Sequence, residues 1–126
     1  MQKQGKIIGQ VNPFLKPHEW DTINFLIYFG YNIEIIPECR IKGVHTPDIR
    51  IDAIEWEIKS PRANTNCIIK NTLRDAAKQS SNIIIDLRRT CRRDEQCMHE
   101  IKKWFTGHNK VKNIWIITKK LELIKL

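Results

Sequence analysis

Two short apolar runs, NIIIDL at 82–87 and NIWIIT at 113–118, most constrain what this chain can become. Each has strand length and is rich in β-branched side chains, so each reads as a strand buried within a sheet. The basic stretch RRTCRR follows the first run. Residues 94–105 then read as a helix that Gly107 stops. Buried strands joined through helices call for a sheet whose faces the helices cover.

The remaining segments fit that frame. Residues 17–29 carry Trp20, Ile23, Leu26 and Ile27 at helical spacing, with Pro17 suited to a first turn and Gly30 to a stop. Residues 32–36 read as a strand ended by Pro37, and Ile41 to His45 as a loop or short strand. DIRID (48–52) and IEWEIK (54–59) alternate strictly, as half-buried strands do, and are expected to lie together across a tight turn near Asp52 and Ala53. Residues 66–80 read as a helix with Ile69, Leu73, Ala76 and Ala77 inward, and the tail LELIKL can add a last strand. Residues 1–13 show no period and read as a lead-in. The expectation is one α/β domain over 1–126, with a central mixed sheet flanked by helices.

Apolar residues make up 41% of the 126, enough to fold. No apolar run nears the ~20 residues that cross a bilayer. Met1 to Gln10 is polar, without a signal-peptide core. No stable membrane insertion is therefore expected. The formal charge is +8, from 22 Lys and Arg against 14 Asp and Glu, which points to a polyanionic partner, nucleic acid or an anionic membrane surface. The plainer reading of that charge is solubility. Cys39, Cys67, Cys91 and Cys97 have no zinc-finger spacing and read as free thiols, although a disulfide stays open. His18, His45, His99 and His108 are scattered and read as ordinary surface or core residues.

Chemistry concentrates in the two alternating strands. With Ile49 and Ile51 on one face, Asp48, Arg50 and Asp52 share the other. With Trp56 and Ile58 on one face, Glu55, Glu57 and Lys59 share the other. Same-face neighbours sit ~6.5–7 Å apart, so Glu57 can bind a divalent cation while Lys59 reaches a phosphate or attacking water. Asp48 from the adjacent strand can complete the site. Two carboxylates, with water and phosphate filling the other positions, suit Mg²⁺ or Mn²⁺, with Zn²⁺ an alternative. Glu19 shares the helix face of Ile23 and Leu26; it is either a supporting carboxylate or a first-turn Glu favoured by the helix dipole. The plain alternative for Glu57 and Lys59 is an exposed cross-strand salt-bridge face.

Pro47-Asp48, eight residues, then Glu57-Ile58-Lys59 resembles the motif of the PD-(D/E)xK nucleases. Their restriction-endonuclease-like fold has a similar element order. A closer resemblance runs from Trp56-Glu57-Ile58-Lys59-Ser60-Pro61 through IIKNTLRDAAKQSSN and IIIDLRR. This stretch is similar to the C-terminal tRNase toxin domains of contact-dependent growth inhibition proteins, and with the preceding elements the likeness spans about 17–118. The resemblance implies Asp48 and Glu57 as metal ligands, Lys59 as catalytic and Glu19 as a supporting carboxylate. It also implies secretion or delivery as part of a larger toxin, action on tRNA in the cytoplasm of a target bacterium, and neutralisation by a cognate immunity protein, which the basic charge leads us to expect to be acidic.

Lys70, Arg74 and Lys78 recur every four residues as a cationic stripe with Gln79 beside it, and Arg88, Arg89, Arg92 and Arg93 follow a buried strand. Both read as phosphate contacts, or else as solvated surface. The four tryptophans could stack bases, but their apolar phase favours the core. The expected function is therefore metal-dependent hydrolysis of RNA, with tRNA as substrate. The alternatives are a DNA endonuclease of the same superfamily and a non-catalytic nucleic-acid-binding domain.

Overall fold

The computed structural model describes residues 4–9, 15–37, 46–108 and 110–126. Its elements in chain order are β1 (Ile7–Ile8), α1 (Pro17–Tyr28), β2 (Ile33–Ile35), β3 (Ile49–Ile51), β4 (Ile54–Lys59), α2 (Ile68–Ala77), β5 (Asn82–Asp86), α3 (Asp94–Thr106), β6 (Asn113–Ile117) and β7 (Leu123–Lys125). All seven strands lie in one sheet in chain order. The β1–β2, β4–β5 and β5–β6 pairs are parallel and the others antiparallel. The mixed α/β architecture expected from the sequence is the one observed.

The apolar runs explain this layout. Ile83 and Ile85 point to one face of the sheet and Ile84 to the other, and all three are fully buried. On the first face α2 and α3 bring Ile69, Leu73, Cys97, Ile101 and Trp104 against Ile83, Ile85, Ile114 and Ile116. On the second, α1 sets Ile23, Phe25 and Leu26 against Ile33, Ile49, Trp56, Ile58, Ile84 and Ile117. The tryptophans all belong to these two cores, Trp20 and Trp115 at their margins. The expected turn at Asp52 and Ala53 is there, with φ of 50° and 68°, the left-handed pair that a two-residue hairpin needs.

Two expectations change. Residues 4–9 are not a structureless lead-in, because β1 adds to the edge of β2. Gly5 makes this possible: it donates to the Ile27 carbonyl at 2.8 Å, and a Cβ there would sit 1.8 Å from the Tyr31 oxygen. The second helix is also shorter than the 66–80 expected, ending at Ala77 with Lys78 as its C-cap. Ile41 to His45 and Cys39 lie outside the described residues.

Candidate active site

The hairpin of β3 and β4 carries the candidate site. Ile49 pairs with Trp56 and Arg50 with Glu55, which places Asp48 beside Glu57 one step further on. Two hydrogen bonds lock that placement: the Asp48 amide donates to the Trp56 carbonyl at 3.0 Å, and the Ile58 amide donates to Asp48 Oδ2 at 2.8 Å. Lys59 Nζ lies 3.5 Å from Glu57 Oε2.

Glu57 does not lie on the exposed polar face expected from alternation. In the parallel ladder it pairs with Ile83, and Lys59 with Ile85, so both share the face that α2 and α3 cover. Glu57 is only 3% exposed, and its Oε1 has no hydrogen-bond partner. The exposed cross-strand ion pair occurs one step away, where Arg50 bridges Glu34 and Glu55. A buried, half-satisfied carboxylate is costly unless something neutralises it.

The electrostatics agree. Burial, and after it the Asp48 charge, push the Glu57 carboxyl up to about 9, with Lys59 opposing them only in part. Asp48 is likewise raised, first by burial and then by the Glu19 charge, against the Ile58 amide, Glu57 and Lys59. Two neighbouring carboxyls raised in this way favour holding a proton between them at neutral pH. Asp48 and Glu57 are oxygen donors suited to a hard divalent cation, and the unpartnered Oε1 fits that use. Among the described residues, no group of three or more His, Cys, Asp and Glu is placed to hold a metal. A cation here would have to draw its other ligands from water and substrate.

Glu19 approaches from α1, on the opposite face. Its Oε1 accepts the Lys16 amide at 3.2 Å in a capping box, which is the helix-start role. Its charge nevertheless reaches Asp48. The two readings of Glu19 are therefore compatible in one geometry. Beside it, burial and the charge of Arg89 push His18 down.

The basic residues divide into two groups. Lys70, Arg74 and Lys78 are exposed, with Lys78 near Asp75 at 3.7 Å, and Gln79 lies just beyond the helix. Arg89 donates to the Ser60 carbonyl at 3.2 Å, and Arg93 is exposed at the N-cap of α3. Arg88 and Arg92 are instead committed within the fold. Arg92 forms a two-pronged bond to Glu100 at 2.7 and 2.9 Å. Arg88 grips the Asp86 carboxylate at 2.7 Å and reaches the Asp21 carbonyl.

Asp86 escaped the sequence reading because it hides inside an apolar run. It is 2% exposed and also accepts the Thr22 hydroxyl at 2.7 Å, so it ties α1 to the end of β5 three residues after Glu19. Asp86→Asn should destabilise the protein by about 2–4 kcal/mol, near or below the 3–5 typical of a broken buried pair, because Arg88 can turn partly to water. Urea unfolding checks this; an unchanged midpoint would remove Asp86 as the strut of α1.

Cys67, Cys91 and Cys97 are free thiols. Among the described residues, no helix is long and apolar enough to cross a membrane.

Residues 45–123 match the family described as the contact-dependent growth inhibition CdiA C-terminal domain. No curated protein matches the chain. Among solved structures, the chain is similar to one in the CdiA-CT/CdiI toxin and immunity complex from Burkholderia pseudomallei. The TM-score is 0.66 and the identity 17%, over 97% of this chain and 98% of that one. At that identity the likeness is one of fold.

Proposed function

This chain belongs to the contact-dependent growth inhibition CdiA C-terminal domain family, and from that premise we propose that it is a metal-dependent ribonuclease toxin acting on tRNA. One observation carries the reading: Asp48 and Glu57 are brought side by side with Lys59, and Glu57 is buried with an unsatisfied oxygen. A fold that only bound nucleic acid would gain nothing from holding two carboxyls so unfavourably.

In this reading the chain uses the PD-(D/E)xK arrangement. Asp48 and Glu57 would hold Mg²⁺ or Mn²⁺, which would supply polarisation of the scissile phosphate and a more acidic water. Lys59, 29% exposed at its side chain, stabilises the charge that develops on the phosphate oxygens. Glu19 adds negative potential at Asp48. Lys70, Arg74, Lys78, Arg89 and Arg93 neutralise neighbouring phosphates without reading sequence.

Further parts of the reading concern the cell. The domain is delivered by contact into the cytoplasm of a neighbouring bacterium. The producer is protected by a cognate immunity protein, expected to be acidic against a chain of charge +8. The similar solved complex, a toxin with its immunity protein, supports a partner of this kind.

The test is cleavage of total tRNA and of plasmid DNA in Mg²⁺ or Mn²⁺, with and without EDTA. The expected result is tRNA cleavage that EDTA abolishes, with DNA left intact. Cleavage of DNA alone would favour the endonuclease alternative, and binding without cleavage in any metal would leave a non-catalytic domain.

A further inference from the structure

A cleft of about 820 Å³ opens between α1 and the segments that follow β4 and β5. We infer that this cleft is a nucleotide subsite that takes one unstacked base of the RNA beside the bond to be cut, a step that rests on the ribonuclease reading.

Its size lies within the ~300–1,000 Å³ of small-ligand clefts. Its lining adjoins the candidate catalytic residues in the chain: His18 precedes Glu19, and Ser60 follows Lys59 at the end of β4. Lys59 itself turns to the other face of the sheet, so a substrate would reach from it to the cleft around the rim at Ser60.

The lining suits a base better than any other group. Phe25 and Tyr28 of α1 and Phe29, its C-cap, lie three and four residues apart and so share a helix face. The Phe25 and Phe29 rings are 4.6 Å apart, and Tyr28 meets Phe29 edge-on at 6.3 Å. Tyr28 is 69% exposed, and with Leu121 at 59% it heads the exposed large apolar side chains among the described residues. Both line this one cleft. Exposed apolar groups gathered in a concavity mark a binding site more than a solvated surface. Arg89 spends Nη1 on the Ser60 carbonyl and keeps further donors for a phosphate. Phe25 is buried under the Arg88 guanidinium at 5.1 Å, so the exposed Tyr28 ring is the face offered to a base, and an aromatic face beside an arginine is the combination that single-stranded nucleic acid uses.

The experiment compares the full-length wild-type, Tyr28→Ala and Tyr28→Phe chains in EDTA. The probes are a fluorescently labelled single-stranded RNA oligomer and a blunt RNA duplex of the same length. Tyr28→Ala should bind the single strand about tenfold more weakly, while Tyr28→Phe, which keeps the ring, stays close to wild type. The duplex, which offers no unstacked base, should bind all three alike. Thermal melting checks that Tyr28→Ala, altered at an exposed position, remains folded. Equal single-strand affinity for wild type and a folded Tyr28→Ala overturns the proposal. So does a loss confined to binding of the immunity protein, which would make the cleft a protein interface. If wild type binds in this Tyr28-dependent way yet cleaves no RNA in Mg²⁺ or Mn²⁺, the subsite stands and the catalytic reading falls.

Discussion

Asp48→Ala and Glu57→Ala should each cut tRNA cleavage by at least ~10³-fold, beyond the loss typical of one electrostatic stabiliser. Each removes half of the carboxylate pair, and the described residues around them offer no third ligand to compensate. Expression of the active chain should arrest bacterial growth, and expression of either variant should not. Near-wild-type cleavage by either variant in Mg²⁺ would show that the site lies elsewhere.

The same pair predicts how stability depends on pH. Burial and the neighbouring Asp48 charge raise the Glu57 carboxyl from 4.5 to about 9, and Asp48 moves in the same direction. The folded protein therefore holds a proton that the unfolded chain releases. Its contribution to stability is complete below about pH 4.5 and is lost as pH rises toward 9. In EDTA the slope from the Glu57 proton alone should reach about 1.4 kcal/mol per pH unit. Glu57→Gln, which cannot ionise, should flatten it. Mg²⁺ or Mn²⁺ should oppose the loss, because the cation favours the ionised pair and binds more tightly as pH rises. Thermal melts from pH 5 to 9, with and without metal, check the sign; stability that rises with pH in EDTA contradicts it.

What the sequence made legible follows from which forces are local. Strand phase is local, so alternation in IEWEIK correctly put Glu57 and Lys59 on one face. Helix punctuation is local, so Pro17 and Gly30 marked α1 to within a residue. Which face of a strand is buried depends on where a distant helix lands, so the burial of Glu57 beneath the α2 and α3 side was invisible. Two residues carry no period, so β1 passed as lead-in; its place depends on Gly5 allowing close approach to Tyr31. The arginine run looked uniform because pairing is a tertiary property. Glu100 claims Arg92 from α3, and Asp86 claims Arg88 from inside an apolar strand.

Lys59→Met should lower the rate of the chemical step by ~10²–10³-fold while changing substrate affinity far less. The two side chains have similar length, and Lys59 lies at the partly exposed end of β4, so packing is little disturbed. Other cations remain to hold the phosphates. The structure adds a second consequence. Lys59 pulls both carboxyls down, so its loss leaves Glu57 and Asp48 harder to ionise. The variant should therefore need more metal at neutral pH, and its pH–rate profile should move to higher pH. Single-turnover cleavage at saturating Mg²⁺ across pH, beside a tRNA binding titration, separates these effects. A rate deficit that persists at saturating metal and high pH assigns Lys59 to transition-state stabilisation. A deficit that vanishes there means Lys59 acts only by keeping the carboxylates charged. Normal cleavage at saturating tRNA, with weak binding alone, would reduce Lys59 to a docking residue and sink the mechanism.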